Sequence, residues 1–160
     1  MSIAISAVFS LLSSQILQDA GYAVAFIVLA VFILLGIVFD IIGVSVTVAD
    51  ERPFHSMAAH REPGASAAIH LIRNANRVST ICNDVVGDIS GIVSGTTAAV
   101  VVSRLTESFD ISAVVAATLV PALVSGLTIG GKAIGKTFAM SRSTDIVLAV
   151  SKIYRFIYKG

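Results

Sequence analysis

GYAVAFIVLAVFILLGIVFDIIGVSVTVA, residues 21 to 49, carries one formal charge, Asp40, along its whole length. An α-helix needs about 20 consecutive apolar residues to cross a bilayer, so this stretch reads as a spanning helix long enough to tilt. Two further stretches follow the same pattern. Residues 81 to 103 are interrupted only by Asp84 and Asp88 near their start, and residues 111 to 131 carry no charge, with the apolar character continuing past Lys132 to about Met140. The composition agrees: 56% of the 160 residues are hydrophobic, 13% are charged and the mean hydropathy is +0.91, whereas soluble domains carry about 25% charged residues. The expected fold is an all-α membrane protein with three transmembrane helices, at about 21–49, 81–103 and 111–140, forming one domain over 1–160.

The remaining segments are placed by charge and periodicity. Residues 2–17 are uncharged and short for a crossing, and QDAG at 18–21 is a turn-like break. This segment reads as a short hydrophobic hairpin partner or interfacial helix, since no basic region precedes it as in a signal peptide. The connection 50–80 carries Arg52, Arg61, Arg73 and Arg77, and the tail carries Arg142, Lys152, Arg155 and Lys159, whereas the link 105–110 is acidic. Lys and Arg accumulate on the cytoplasmic side, which puts the connection and the C-terminus inside and the N-terminus outside the cell membrane. Within the connection, Ala65, Ala68, Ile69, Ile72 and Ala75 share a helical face. In the tail, Ile146, Val150, Ile153 and Ile157 do the same, predicting a membrane-surface helix at 143–158.

Several function classes are disfavoured. A net charge of +1 gives no basic footprint for nucleic acid. The single Cys82 cannot form an internal disulfide and reads as a packing residue. His55, His60 and His70 are spaced by five and ten, which does not gather them on one helical face as metal ligands. No serine lies in a nucleophile elbow, so an enzyme is not expected.

The chemistry then falls to polar groups at membrane depth, where a charge costs about 2.5 to 3.5 kcal/mol and faces protein or water. These are Asp40, Asn83, Asp84, Asp88, Lys132 and Lys136. Asp84 and Asp88, four apart, share a face, and Gly87, Gly91 and Gly95 form a stripe that admits another helix. In the third span Pro121 and the pairs Ser125-Gly126 and Gly130-Gly131 predict a bent or broken helix with freed carbonyls. Carboxylates, amides and carbonyls together suit a hard cation such as magnesium.

The order of segments resembles the transmembrane domain of the cyclin M and CorB/CorC family of magnesium transporters over residues 21 to 160. That family has small hydroxyl residues late in its first span, where this chain reads DIIGVSVT at 40–47, making Ser45 and Thr47 the nearest matches. Its Gly-Asn-Asn corresponds to Cys82-Asn83-Asp84, and its Gly-Glu-x-x-Pro-Lys to Gly131-Lys132-Ala133-Ile134-Gly135-Lys136. The resemblance implies Asn83 as a cation ligand, Gly131 as a carbonyl donor, Lys136 as a matching cation, and a homodimer as the assembly. A larger membrane complex suits the same glycine faces. Lys132 stands where the family carries an acid, and a protonated lysine repels magnesium. The family's paired CBS domains have no counterpart in these 160 residues.

Two expectations follow. In one, Asn83, Asp84, Asp88, Asp40, Ser45, Gly130 and Gly131 form the site of a divalent-cation transporter or exporter for Mg2+. In the other, Lys132 pairs with Asp84, Asp88 or Asp40 in place of the metal, and the protein is a transport-inactive structural or partner-binding subunit in the lipid bilayer.

Overall fold

A computed structural model describes residues 21–109 and 112–158, so the N-terminal segment 2–17 lies outside the described residues. Every regular element among the described residues is helical: α1 (Tyr22–Val48), α2 (Arg52–Ala59), α3 (Ala65–Arg73), α4 (Ala75–Thr80), a π-helical segment (Ile81–Val86), α5 (Gly87–Phe109), α6 (Ala113–Ser141) and α7 (Ser143–Tyr158). Among the described residues three stretches are long and apolar enough to cross a membrane: Ala23–Val48, Ala75–Ser108 and Ala113–Ser141. At 1.5 Å per residue, α1 is about 40 Å long, enough for a hydrocarbon core of about 30 Å with some tilt.

Two differences from the sequence reading matter. The second spanning stretch begins at Ala75 rather than 81, because the polar turn ANRVST at 75–80 is already helical and runs on into the apolar part. α6 is unbroken from Ala113 to Ser141 with Pro121 inside it, so the expected break is not present. A proline removes one hydrogen bond, but in hydrocarbon the remaining peptide groups have no solvent to turn to and stay paired within the helix. The irregular backbone lies instead in the second span, as the π segment.

The chain divides into two compact units, Met1–Ile37 with Val85–Gly131, and Val38–Asp84 with Lys132–Gly160. In the first, Ala25 and Val101 are buried among Val28, Val100, Leu105 and Val120. Small residues set the approach of the helices: a Cβ on Gly36 would stand 3.3 Å from the Ser90 Cβ, and one on Gly131 would overlap the Ile37 side chain. Such close contact is how helices associate in lipid, where hydrophobicity gives no drive. Ser94 and Thr97 are buried, and their hydroxyls donate to their own helix at Gly91 O (3.0 Å) and Val93 O (2.7 Å). Gly91 and Gly95, expected to receive a neighbouring helix, are exposed, and a Cβ on either would meet nothing. Within one copy the inward stripe of α5 is therefore Ser90, Ser94 and Thr97.

The second unit has a core of the kind found in water-soluble domains: Val46, Phe54, Ala68, Leu71 and Val147, flanked by Ile42, Met57, Ile72 and Leu148. α2 starts beneath Asp50, whose Oδ1 accepts from Arg52 N at 3.0 Å, and Pro53 occupies its first turn. Glu51 then holds α2 to the end of α3, accepting from Arg73 Nε at 2.7 Å and meeting His55 Nε2 at 3.0 Å. The turn into α3 needs glycine at position 64. Its φ is +93°, and a Cβ there would stand 2.9 Å from the Ser151 Oγ and 3.2 Å from the Lys152 backbone nitrogen, because α7 crosses at this point.

The buried face of α3 is Ala65, Ala68 and Leu71, with Ile69, Ile72 and Ala75 half-buried. α7 carries an inward face beside the expected stripe. It seats Val147 and Ser151 inward and leaves Ile153 exposed, so the stripe of Ile146, Val150 and Ile153 is not its principal packing face. One residue, about 100° round the helix, separates these faces, and only tertiary packing selects between them.

Candidate cation site

Asp40 is 7% exposed, deep in α1, and its Oδ2 meets no donor among the described residues. Three residues on lies Gly43, next to it on the same helical face. The carboxamide of Asn83 rests on that glycine: a Cβ at 43 would overlap Oδ1 and stand 2.9 Å from Cγ. Asn83 belongs to the π segment, whose i→i+5 bonding widens the turn and is frequent at functional sites. Its Nδ2 donates to the Ser79 Oγ at 3.2 Å, and its Oδ1 is buried without a donor. A carboxylate oxygen and an amide oxygen are thus brought to the same face of α1, both without a hydrogen-bond donor in the fold.

Ser45 is fully buried and its Oγ also lacks a partner. Five residues from Asp40, it lies about 140° round α1, on a separate flank. Thr47, the other hydroxyl of this stretch, is exposed and donates to Val44 O at 2.7 Å. Each buried polar atom without a partner costs about 1–3 kcal/mol, and native proteins hold few of them. Among the described residues the three side-chain atoms of this kind are those of Asp40, Ser45 and Asn83, and all belong to the second unit.

The other expected ligands stand elsewhere. Asp84 and Asp88 are exposed on a single copy. Gly130 and Gly131 belong to the first unit and lie within unbroken α-helix, where their carbonyls are placed as intrahelical acceptors. Lys132 is half-buried and forms no ion pair with Asp40 or Asp84, while Lys136 is exposed. Two of the histidines are engaged locally: His55 with Glu51, and His60 Nδ1 at 2.9 Å from Ser56 O. No group of three or more His, Cys, Asp or Glu gathers among the described residues. The available ligand oxygens are one carboxylate and one amide, with the Ser45 hydroxyl on a separate flank, and they suit a hard cation that keeps part of its water rather than zinc or copper.

Sequence reasoning singled out Asp40, Asn83 and Ser45 but missed Gly43 and Ser79. Both carried a signal, Gly43 at i+3 from Asp40 and Ser79 at i−4 from Asn83. Gly43→Ala is expected to destabilise the protein by about 1–3 kcal/mol, because the new methyl displaces the carboxamide. Gly126→Ala, whose Cβ meets nothing, is the comparison that stays near wild type in denaturant melts of the detergent-solubilised protein. Equal midpoints for the two variants would contradict the packing described.

Three helices among the described residues are long and apolar enough to cross a membrane, the first two joined by short amphipathic helices, and they mark the chain as a multi-pass α-helical membrane protein. No known family profile matches the chain, and neither a curated protein nor a solved structure is significantly similar to it.

Proposed function

We propose that this protein is a divalent-cation transporter of the cyclin M and CorB/CorC type, moving magnesium through a site built on Asp40 and Asn83. The observation that carries this reading is the pair of buried oxygens without a donor among the described residues, Asn83 Oδ1 against Gly43 and Asp40 Oδ2 three residues before that glycine on α1. Magnesium binds through one or two carboxylates and retains waters, and a single acid with neutral oxygens beside it matches that demand. Ser79 fixes the amide so that its oxygen, not its nitrogen, is free for the ion.

The charge distribution supports a cytoplasmic connection and C-terminus, with the N-terminus outside the cell membrane. The unit holding α2, α3 and α7 contains ten Lys and Arg against six Asp and Glu, and the other contains one against four. Asp84, Asp88, Gly91 and Gly95, exposed on one copy, support a homodimer, since carboxylates at membrane depth need cover and glycines admit a close partner.

Magnesium flux into proteoliposomes tests the reading. Wild-type protein is expected to carry Mg2+, and Asn83→Ala to slow the flux by about tenfold or more, the loss of one ligand to a charged species. Flux that is absent in wild type, or indifferent to the substitution, rejects transport in favour of a structural subunit.

A further inference from the structure

The second unit holds an open cavity of about 360 Å3 at the turn between α2 and α3, into which two arginines from distant parts of the chain converge. Arg61 comes from the turn itself and Arg155 from α7, and Glu62 and Ser66 complete the polar lining. The turn holds Arg61 in the left-handed region at φ +57°, with Arg61 N donating to Ala58 O (3.0 Å) and Glu62 N to Met57 O (2.9 Å). Among the described residues neither Arg61 nor Arg155 has a carboxylate within ion-pair distance, whereas Arg73 and Arg142 pair with Glu51 and Asp145. Glu62 lines the same cavity without reaching either guanidinium. Two arginines and one glutamate leave the cavity with one net positive charge.

The place of this cavity follows from α7. α6 spans the membrane and ends at Ser141, and α7 begins at Ser143, so α7 starts at the membrane–water boundary. Val147 and Ser151 pack it onto α3, and the stripe of Ile146, Val150 and Ile153 is left incompletely covered, Ile153 being 62% exposed. A helix with an uncovered apolar stripe and a basic flank lies in the interface with that stripe toward the acyl chains. Arg155 follows Ser151 by four residues, one turn along the same helix.

From this arrangement we propose that Arg61 and Arg155, with the Ser66 hydroxyl, bind the phosphate of an anionic phospholipid headgroup. Guanidinium groups match phosphate oxygens with paired donors, the hydroxyl adds a donor, and the single net charge of the cavity complements a phosphodiester. The bilayer presents that group at the level of α7, with its acyl chains beside the exposed stripe. Magnesium has no part in this site.

The test uses the full-length protein in neutral detergent. Native mass spectrometry measures retention of phosphatidylglycerol and of phosphatidylcholine, and thermal melts are run with each lipid and with inorganic phosphate alone. Wild type is expected to retain phosphatidylglycerol, and the double variant Arg61→Gln, Arg155→Gln to retain about tenfold less or lower, from a contribution near fivefold per basic residue. Arg142→Gln, outside the cavity, is expected to match wild type. Unchanged melting of the double variant without lipid shows that its fold is kept. Retention unaffected in the double variant, or reduced equally in Arg142→Gln, overturns the site. Protection by inorganic phosphate equal to that by lipid, and lost in the double variant, overturns lipid as the source of the phosphate.

Discussion

Asp40→Asn is expected to raise the melting temperature of the cation-free protein and, under the proposed magnesium site, to remove the further rise expected of the wild type with magnesium. Its carboxylate is buried with one oxygen lacking a donor, and a desolvated charge without a partner is costly. The amide removes the charge while keeping the volume, which predicts a gain of about 1–3 kcal/mol without cation. The same change removes the site's one buried acid, so magnesium affinity falls by at least about tenfold, the loss of one charge-assisted contact. Gain of stability with loss of ligand response is the pattern of a residue kept for function. Thermal melts in detergent across a magnesium series give both quantities. A less stable Asp40→Asn that still responds to magnesium would exclude Asp40 as a ligand.

Phe54→Ala is expected to cost about 3–5 kcal/mol, the range for removing a fully buried aromatic side chain. Phe54 is 0% exposed and lies at the centre of the cluster with Val46, Ala68, Leu71 and Val147. Its loss opens a cavity bordered by α2, α3 and α7, so hydrogen exchange should quicken first in those helices. Exchange within Ala23–Ala30 is expected to stay slow, because those amides belong to the other unit. Ile27→Ala, at a side chain 62% exposed, serves as the lipid-facing comparison. Unchanged protection in α3 and α7 would show that Phe54 does not organise them.

The first span was the most legible element. Apolar residues from Gly21 to Ala49 left the chain no alternative to a membrane helix, and α1 runs from Tyr22 to Val48. Charge and periodicity also placed α7 at 143–158. What the sequence concealed was orientation about helix axes. Asp84 and Asp88 share a face by spacing, but nothing local states whether that face turns inward, and it is Asn83 that meets α1. In α7 an isoleucine stripe and the stripe of Val147 and Ser151 were both available, and the glycine at 64 chose the second by letting α7 come close. The expected break in α6 rested on proline and glycine propensities measured largely in water. In lipid the absence of competing hydrogen-bond partners outweighs them.

The candidate site was half legible for the same reason. An acid within an apolar span announces itself, as Asp40 does, because its insertion cost demands an explanation. A supporting glycine or serine carries no such cost and is recognised only once a partner rests on it. No residue pattern announces the π segment either, since ICNDVV at 81–86 contains neither proline nor glycine.

That segment also bears on how the chain tolerates change in length. A π turn accommodates one residue more than the α-helix on either side, so Ile81–Val86 behaves as a single-residue insertion absorbed within one turn. Removing one residue there lets the backbone return to α-helical winding without rotating what lies beyond, and the contact of Ser90 with Gly36 keeps its register. One residue removed from the regular helix of α5 turns everything downstream by about 100°. A change of one residue at this place in the second span therefore spares the packing beyond it, and falls instead on the turn that carries Asn83.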